Sequence, residues 1–309
     1  MVINTLCLSG GGINGISFIG ALEHLEKCKY ININEINNYI GTSIGSIFCL
    51  FFILGYTLQE IKKFIMNFDF SPLNNYNNNN LDNILTNYGI NNGDVFLIII
   101  INFIKSKINI ENINFIDLYK LTNKKLNIIG TNFTKSCEEC FNYETSPLMN
   151  VIIAIRISIS IPIFFAPVYY NNNYYIDGGV YNNFGLNYSN INNTIGIYIK
   201  FNINNNINSV IDIFIGTINI IFNSLNEKNI NNMSNIIQII HEPLDCITYT
   251  LSQEDKNKFL LLGINSSKKY LKNIYINNIK KILFNLIIKI FNKKKVLITN
   301  KKHNKSTQT

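Results

Sequence analysis

Three short stretches of this sequence combine residue types suited to nucleophilic attack on a carbonyl. Gly41-Thr42-Ser43-Ile44-Gly45 sets a serine between two glycines, the G-x-S-x-G pattern of a nucleophile elbow. Glycines at that spacing let the chain turn sharply and hold the serine oxygen clear of the backbone. A helix starting at Ile44 then offers its N-terminal N–H groups to developing negative charge. A plain strand-to-helix turn with Ser43 as N-cap satisfies the same pattern. Ser9-Gly10-Gly11-Gly12-Ile13-Asn14-Gly15 holds three consecutive glycines, whose N–H groups can converge on one anion. In acyl transfer such a nest is an oxyanion hole, each donor contributing about 2.7–4 kcal/mol in the transition state. Gly10, Gly12 and Gly15 also fit G-x-G-x-x-G, the dinucleotide fingerprint. That alternative wants an acidic residue closing the second strand. Glu35 is near the right distance but precedes that strand, which runs into Gly-Thr-Ser. Tyr175-Ile176-Asp177-Gly178-Gly179 puts a carboxylate at the end of an apolar strand, in a turn that can aim it into a site. A hairpin turn is the other use of Asp-Gly.

Histidine is scarce: His24, His241 and His303 are the only three. His24 falls inside the first helix and His303 in a lysine-rich tail. His241 follows Ser43 and Asp177 in the chain order of an α/β-hydrolase triad, with a structural role near a helix end as its other reading. Without histidine a carboxylate must take the serine proton, and Asp177 is the best placed. Its ordinary pKa of about 3.9 means that partial burial must raise its basicity. Cys137 and Cys140 form a C-x-x-C pair without the further ligands of a structural zinc site, so no metal is expected.

The elements that must position these residues follow from periodicity. Ile3 to Leu8 reads as a buried strand ending in the glycine turn, and Ile16, Ile19, Leu22 and Leu25 have helical spacing to about Lys27. Tyr39-Ile40 forms a strand into Gly41, and Ile44, Ile47, Phe48, Phe51 and Phe52 mark the next helix. Two strand–turn–helix units in succession predict an α/β fold with a parallel or mixed sheet covered by helices. Asn74 to Asn83 reads as a polar loop, and Val95 to Ile108 as a hydrophobic helix, either core or cover of the site. Leu126 to Gly130 and Cys140 to Tyr143 read as strands, and Val151 to Ile159 as a helix stopping near Pro162. Val168 to Ile176 reads as a hairpin turning on Asn171-Asn172-Asn173, and Ile195 to Phe201 as a buried strand. Farther on, Val210 to Leu225, Asn229 to Ile240 and Asn277 to Phe291 read as helices. The last carries a polar stripe at Lys281, Asn285, Lys289 and Asn292. The expected organisation is a core over 1–204, with a mainly helical part over 205–309 on or appended to the same domain.

Composition narrows the class. The chain has 309 residues, 47% hydrophobic and 15% charged, enough for a large core. Its net charge of +8 suits an acidic partner. The densest basic stretch, from Lys280-Lys281 through Lys289 and Lys293-Lys294-Lys295 to Lys301-Lys302, alternates with Ile, Leu and Phe and carries no nucleic-acid-binding motif. A peripheral membrane surface is therefore the expected partner, and no nucleic acid. Met1 to Leu8 already reads as a strand, so no signal peptide is expected. Val95 to Ile104 is too short to span a bilayer, which takes roughly 20 apolar residues. An intracellular location follows, cytoplasmic or at a membrane surface. Six cysteines in a chain this long do not make a dense disulfide framework, and the absence of tryptophan with abundant Ile, Asn and Lys suggests an AT-rich genome.

Taken together, Gly-Gly-Gly-x-x-Gly, then Gly-Thr-Ser-x-Gly, then Asp-Gly-Gly, in this order over roughly residues 1–200, resemble the patatin-like phospholipase family. Arg156-Ile157-Ser158 before Ser160-Ile161-Pro162, and Asn182-Asn183 after the Asp-Gly-Gly, match as well, and the intervening region is similar to large-virus members. The resemblance implies a three-layer α/β/α sandwich with a mostly parallel central sheet. It implies a Ser43–Asp177 dyad, acting on a phospholipid or other acyl-lipid ester without cofactor. Backbone N–H groups of Gly10, Gly11, Gly12 and Ile13 would form the oxyanion hole, supported by Gly15, Gly41, Gly45, Gly178 and Gly179. Two positions depart from the family: Asn14 stands where a basic residue is usual, and Phe184-Gly185 where proline often follows the Asn pair.

Overall fold

A computed structural model describes residues 3–71, 80–202, 207, 210–230, 235–242 and 251–305. The chain begins with β1 (Thr5–Leu8), α1 (Ile16–Lys27), β2 (Asn38–Thr42), α2 (Ile44–Ile53) and α3 (Leu58–Asn67). Next come α4 (Asn80–Asn87), β3 (Gly89–Asn91), α5 (Asp94–Ile108), α6 (Phe115–Thr122), β4 (Lys125–Asn132) and β5 (Cys137–Phe141). Then follow α7 (Val151–Ser158), β6 (Ile163–Phe165), β7 (Val168–Tyr170), β8 (Asn173–Asp177) and α8 (Gly179–Asn182). The chain continues through β9 (Thr194–Phe201), α9 (Val210–Ile230), β10 (Ile236–His241) and α10 (Gln253–Lys305).

Eight strands form the main sheet in the order β10-β9-β1-β2-β4-β8-β7, with β5 also paired to β4. The pairs β10–β9, β9–β1, β1–β2 and β2–β4 are parallel, and the β8 and β5 pairings with β4 are antiparallel. Strands β1 and β9 are near-continuous apolar runs because helices cover both faces of the sheet. This is the expected three-layer α/β/α arrangement. On one face Cys7, Ile40, Ile129, Phe184, Tyr198 and Ile236 interlock in a single cluster. Helix α1 meets the first turns of α10 backbone to backbone: a Cβ on Gly20 would fall 2.0 Å from the Leu260 carbonyl, and one on Gly263 2.0 Å from that of Ser17.

Some expectations change. Asn229 to Ile240 is not one helix: α9 ends at Ile230, and Ile236–His241 extends the sheet as β10, in register with Gly196 to Phe201. A five-residue apolar run bears no period that separates strand from helix, and the open edge of β9 decides. The sheet therefore continues past residue 204, and by compactness the chain divides into 1–267 and 268–309. The Asn74-to-Asn83 segment lies outside the described residues up to Asn79, and from Asn80 it is the start of α4.

Candidate active site

Ser43 follows β2 at φ 52° and ψ −127°, in a region that non-glycine residues rarely adopt. Such a backbone costs about 1–3 kcal/mol and persists only where its surroundings over-determine it. Here they do. The Ser43 N–H donates to Ser158 Oγ at 2.8 Å, and that hydroxyl donates onward to the Ile129 carbonyl at 2.6 Å. The Ser43 carbonyl accepts from the Ser46 N–H at 2.9 Å and from its hydroxyl at 2.6 Å. The flanking glycines are required by space. A Cβ on Gly41 would lie 2.5 Å from the Ser46 backbone, and one on Gly45 2.4 Å from the Leu8 carbonyl. Ser43 makes no capping hydrogen bond to α2, so the plain N-cap reading fails and its side chain is left for other use.

Sheet register brings Asp177 level with Ser43. Thr42 of β2 pairs with Ile129 of β4, and the next β4 residue, Gly130, pairs with Asp177 of β8. The two residues therefore face each other across one intervening strand. Asp177 is wholly buried. Its Oδ1 accepts the Gly179 N–H at 2.7 Å, its N–H donates to the Ser160 carbonyl at 2.8 Å, and its carbonyl accepts the Thr131 hydroxyl at 2.9 Å. Burial drives the carboxyl pKa up to about 7, against the opposing pull of the Gly179 N–H and the Ser43 hydroxyl. Oδ2 nevertheless has no partner of full hydrogen-bond geometry. The Ser43 hydroxyl thus lies close enough to oppose the rise in the carboxyl pKa without completing a hydrogen bond to it. Gly178 fits only because it lacks a Cβ, which would sit 2.2 Å from the Ile129 carbonyl.

The glycine loop leaves β1 and closes into a 3-10 turn over Gly12–Gly15, entered at Gly12 with φ 55°. The N–H groups of Gly12 and Ile13 open this turn and have no acceptor within it, and that of Gly11 takes no backbone acceptor among the described residues. Gly10 is a correction: its N–H donates to the Asn183 carbonyl at 3.1 Å and is not free for an oxyanion. Its contribution is the absence of a side chain, since a Cβ there would stand 2.3 Å from Asn183 Oδ1 and 3.2 Å from Ser43 Cβ. Asn183 is the residue whose place at the site the sequence reading missed. It is fully buried, and among the described residues neither its amide oxygen nor its nitrogen has a partner. Gly10 and Gly179 both make room for it. Asn14 is buried within the turn, its carbonyl accepting the Ser17 hydroxyl at 2.7 Å.

The segment after α7 ties the site together. Ser158 holds Ser43, Ser160 holds Asp177, and the Ser158 carbonyl also accepts the Gly178 N–H at 3.3 Å. Behind it Arg156 is buried, donating to Ser160 Oγ, to the Ala166 carbonyl at 2.8 Å and to the Asn92 carbonyl at 3.0 Å. Burial lowers its pKa to about 10, with Asp94 acting in the opposite sense.

Other candidates lie elsewhere. His241 Nε2 meets Ser17 Oγ at 3.1 Å, its ring sits edge-on to Phe259, and burial lowers its pKa to about 4. With Ser17 and Phe259 as its neighbours it serves neither Ser43 nor Asp177, and the triad option falls away. His24 bonds Ser267 through Nδ1 at 3.0 Å. Glu35 lies before β2, at the sheet edge opposite the glycine loop, where it accepts from Asn32 at 2.8 Å. Glu35 therefore does not face the loop, and the dinucleotide reading loses the carboxylate it requires there. Cys137 and Cys140 sit three apart on β5, where alternating side chains point to opposite faces. Among the described residues no group of three His, Cys, Asp or Glu could hold a metal ion.

A cavity of about 110 Å³ opens beside Ser43, Gly12 and Ile13. Ile47 and Phe48 of α2, Phe64 of α3 and Ile100 of α5 are among its walls, and apart from Ser43 only Gly, Ile and Phe line it. The Val95-to-Ile108 segment is thus one wall of the site.

A serine on a strained elbow at the carboxyl edge of a parallel sheet is the arrangement found in α/β enzymes with a serine nucleophile. The Patatin-like phospholipase family model matches residues 6–188, and the chain belongs to that family. Over 187 residues it is 37% identical to the "Probable lipid hydrolase 463L" of Invertebrate iridescent virus 6, covering 59% of this chain and 61% of that protein. It is 31% identical over 197 residues to the uncharacterized protein R571 of Acanthamoeba polyphaga mimivirus, covering 63% and 65%. The chain thus spans less than two thirds of the length of these relatives. Its fold is similar to VipD from Legionella pneumophila, with a TM-score of 0.61 and 16% identity over 88% of this chain and 67% of that one. It is also similar to ExoU in the ExoU–SpcU complex from Pseudomonas aeruginosa, with a TM-score of 0.52 and 16% identity over 88% and 52%.

Proposed function

We propose that the protein is a lipid acyl hydrolase of phospholipase A type, working through a Ser43–Asp177 dyad and an acyl-enzyme intermediate. The observation that carries this reading is the pairing of Ser43, on its strained elbow, with a level, buried carboxylate whose pKa is raised to about 7. A carboxyl at its usual pKa is a feeble base toward a serine hydroxyl, whereas one near 7 is ionised at working pH and still avid for a proton. Ser43 Oγ attacks the ester carbonyl carbon as Asp177 accepts its proton, and the carbonyl oxygen becomes an oxyanion facing the N–H groups of Gly11, Gly12 and Ile13. The C–O bond to the alcohol breaks, and the alcohol leaves with the proton from Asp177. Water then attacks the acyl-Ser43 ester with Asp177 again taking the proton; the C–Oγ bond breaks, Asp177 returns the proton to Ser43 Oγ, and the fatty acid departs. The cavity beside Ser43, lined by Ile and Phe, suits an acyl chain and offers nothing to a polar acyl group. Relatives from large viruses favour host-cell lipids as substrate and an intracellular place of action.

The test is fatty-acid release from phospholipid vesicles by wild type, Ser43→Ala and Asp177→Ala, with fluorophosphonate labelling of the same proteins. Ser43→Ala is expected to lower turnover at least about ten-thousand-fold and to abolish labelling, with folding unchanged. A wild type that neither labels nor hydrolyses would sink the enzymatic reading. It would favour a catalytically weak membrane-binding protein, with Asn14 in the family's basic position as the first residue to restore.

A further inference from the structure

Charge is divided unevenly along this chain. Residues 1–267 hold all 19 acidic residues against 15 basic ones, a formal net of −4. Residues 268–309 hold the other 12 of the 27 basic residues, every one a lysine, and no acid. That division falls where the second compact unit begins, at Lys268. Within this unit α10 carries a second pattern. Tyr275, Ile276, Ile279, Ile282 and Leu283 recur at three- and four-residue spacing, and Leu286, Ile287 and Ile290 continue it in the sequence. On a helical projection they share an arc about 140° wide, while a narrower polar stripe of Asn278, Lys281, Asn285, Lys289 and Asn292 lies opposite, with Ile274, Phe284, Ile288 and Phe291 also outside the arc. The apolar arc is open: Tyr275 is 68% exposed, Ile282 59% and Leu283 52%. Lys268, Lys269, Lys272, Lys280 and Lys281 are exposed as well.

We infer that residues 268–309 are a membrane-surface seat, laying the apolar arc of α10 into the interface of an anionic bilayer while the lysines meet its headgroups. Charge complementarity selects this occupant. Two copies joined through the arc would bring two segments of twelve lysines together without one carboxylate between them. A nucleic acid supplies negative charge but no apolar phase, whereas an anionic bilayer supplies both. No described helix is long and apolar enough to cross a membrane. Lysines bordering the arc can extend their stems along it and keep their ammonium groups at headgroup level. The inference is independent of the chemistry at Ser43, because it rests on a different part of the chain.

The test uses the full chain carrying Ser43→Ala, so that lipid is not consumed, pelleted with vesicles of phosphatidylcholine containing about 30% phosphatidylserine or of phosphatidylcholine alone. Each lysine near an anionic surface contributes about fivefold to binding. Lys272→Gln, Lys280→Gln and Lys281→Gln together are therefore expected to lower partitioning about 100-fold, and Ile279→Ser with Leu283→Ser at least about tenfold. Salt of about 0.5 M should release the parent protein. In a Ser43 background both sets should leave hydrolysis of a monomeric short-chain ester unchanged, which separates loss of seating from loss of fold or chemistry. Undiminished binding by the triple glutamine variant, or equal binding to neutral vesicles, would overturn the inference. So would a lipid-free dimer, seen by sedimentation velocity, that Ile279→Ser with Leu283→Ser dissociates, since the arc would then belong to a second copy.

Discussion

Asp177→Asn keeps the shape of the side chain and the Oδ1 acceptor for the Gly179 N–H, 2.7 Å away, while removing the ionisation. The wild-type carboxyl is wholly buried, and its folded pKa stands at about 7 against 3.8 for an unperturbed aspartate. It therefore binds its proton more tightly folded than unfolded. Its contribution to stability is intact below pH 3.8 and declines as pH rises, until the folded carboxyl has ionised above pH 7. The gap between those pKa values corresponds to about 4 kcal/mol, the cost of holding the buried charge at pH 8. Asp177→Asn escapes that cost. It should match wild type near pH 3.5 and exceed it by up to about 4 kcal/mol at pH 8, roughly 10 °C in Tm for a chain of this size. The chain has no tryptophan, so urea melts followed by far-UV circular dichroism at several pH values are the assay. The same variant should be inactive, and wild-type kcat/KM should fall about tenfold per pH unit below 7, to about one hundredth at pH 5. A variant no more stable than wild type at pH 8, or one whose advantage is the same at every pH, would refute the poised-carboxylate account.

Two further perturbations probe the surroundings of the proposed dyad. Gly10→Ala places a Cβ where Asn183 Oδ1 now lies, 2.3 Å away, so Asn183 must leave its position. A destabilisation of about 1–3 kcal/mol is expected, with ester turnover at least about tenfold lower at a temperature where the variant is folded by circular dichroism. His241 is held neutral, with its pKa lowered to about 4 by burial and by Lys258. A depressed histidine pKa gives stability that is whole above pH 6.5 and lost as pH falls toward 4, by about 3 kcal/mol. His241→Gln should flatten that acid loss in urea melts without shifting the pH profile of catalysis, and a shifted profile would return His241 to the site.

The candidate site was more legible in the sequence than the fold around it. Ser43 and Asp177 stand in turns that only glycine can complete, and glycine spacing survives in a sequence whatever the tertiary context. The first two strand–turn–helix units were readable for a related reason, since turn residues bound each apolar run. Ile236 to His241 was not, because Ile-Ile-Gln-Ile-Ile serves a strand and a buried helix equally, and only the free edge of β9 makes it a strand. The three-residue strands β3 and β6 leave no periodic trace at all. Within the site, Asn183 looked like an ordinary neighbour of the Asp-Gly-Gly turn. What gives it importance is space left by Gly10 and Gly179, which stand nearly 170 residues apart, and no local pattern encodes such a distance. The engaged Gly10 N–H was hidden for the same reason, as its acceptor is the Asn183 carbonyl.

The proposed dyad also bears on how a serine nucleophile dispenses with histidine. An imidazole brings a suitable pKa by itself and needs only orientation. A carboxylate must have its basicity raised by its surroundings, and desolvation is the largest influence on Asp177. Desolvation, however, destabilises the fold that supplies it, so the carboxylate must be fixed by backbone contacts that leave Oδ2 uncompensated. Asp177 meets that condition: its N–H, its carbonyl and Oδ1 are all bonded, and Oδ2 alone is open. The Ser158–Ser160 segment then couples this carboxylate to the elbow, holding the Ser43 N–H at one end and the Asp177 N–H at the other. Arg156 donates to Ser160 from beneath and is itself held by the carbonyls of Asn92 and Ala166, with no carboxylate in its hydrogen bonds. Binding Arg156 through neutral carbonyls anchors the segment and leaves the basicity of Asp177 to burial.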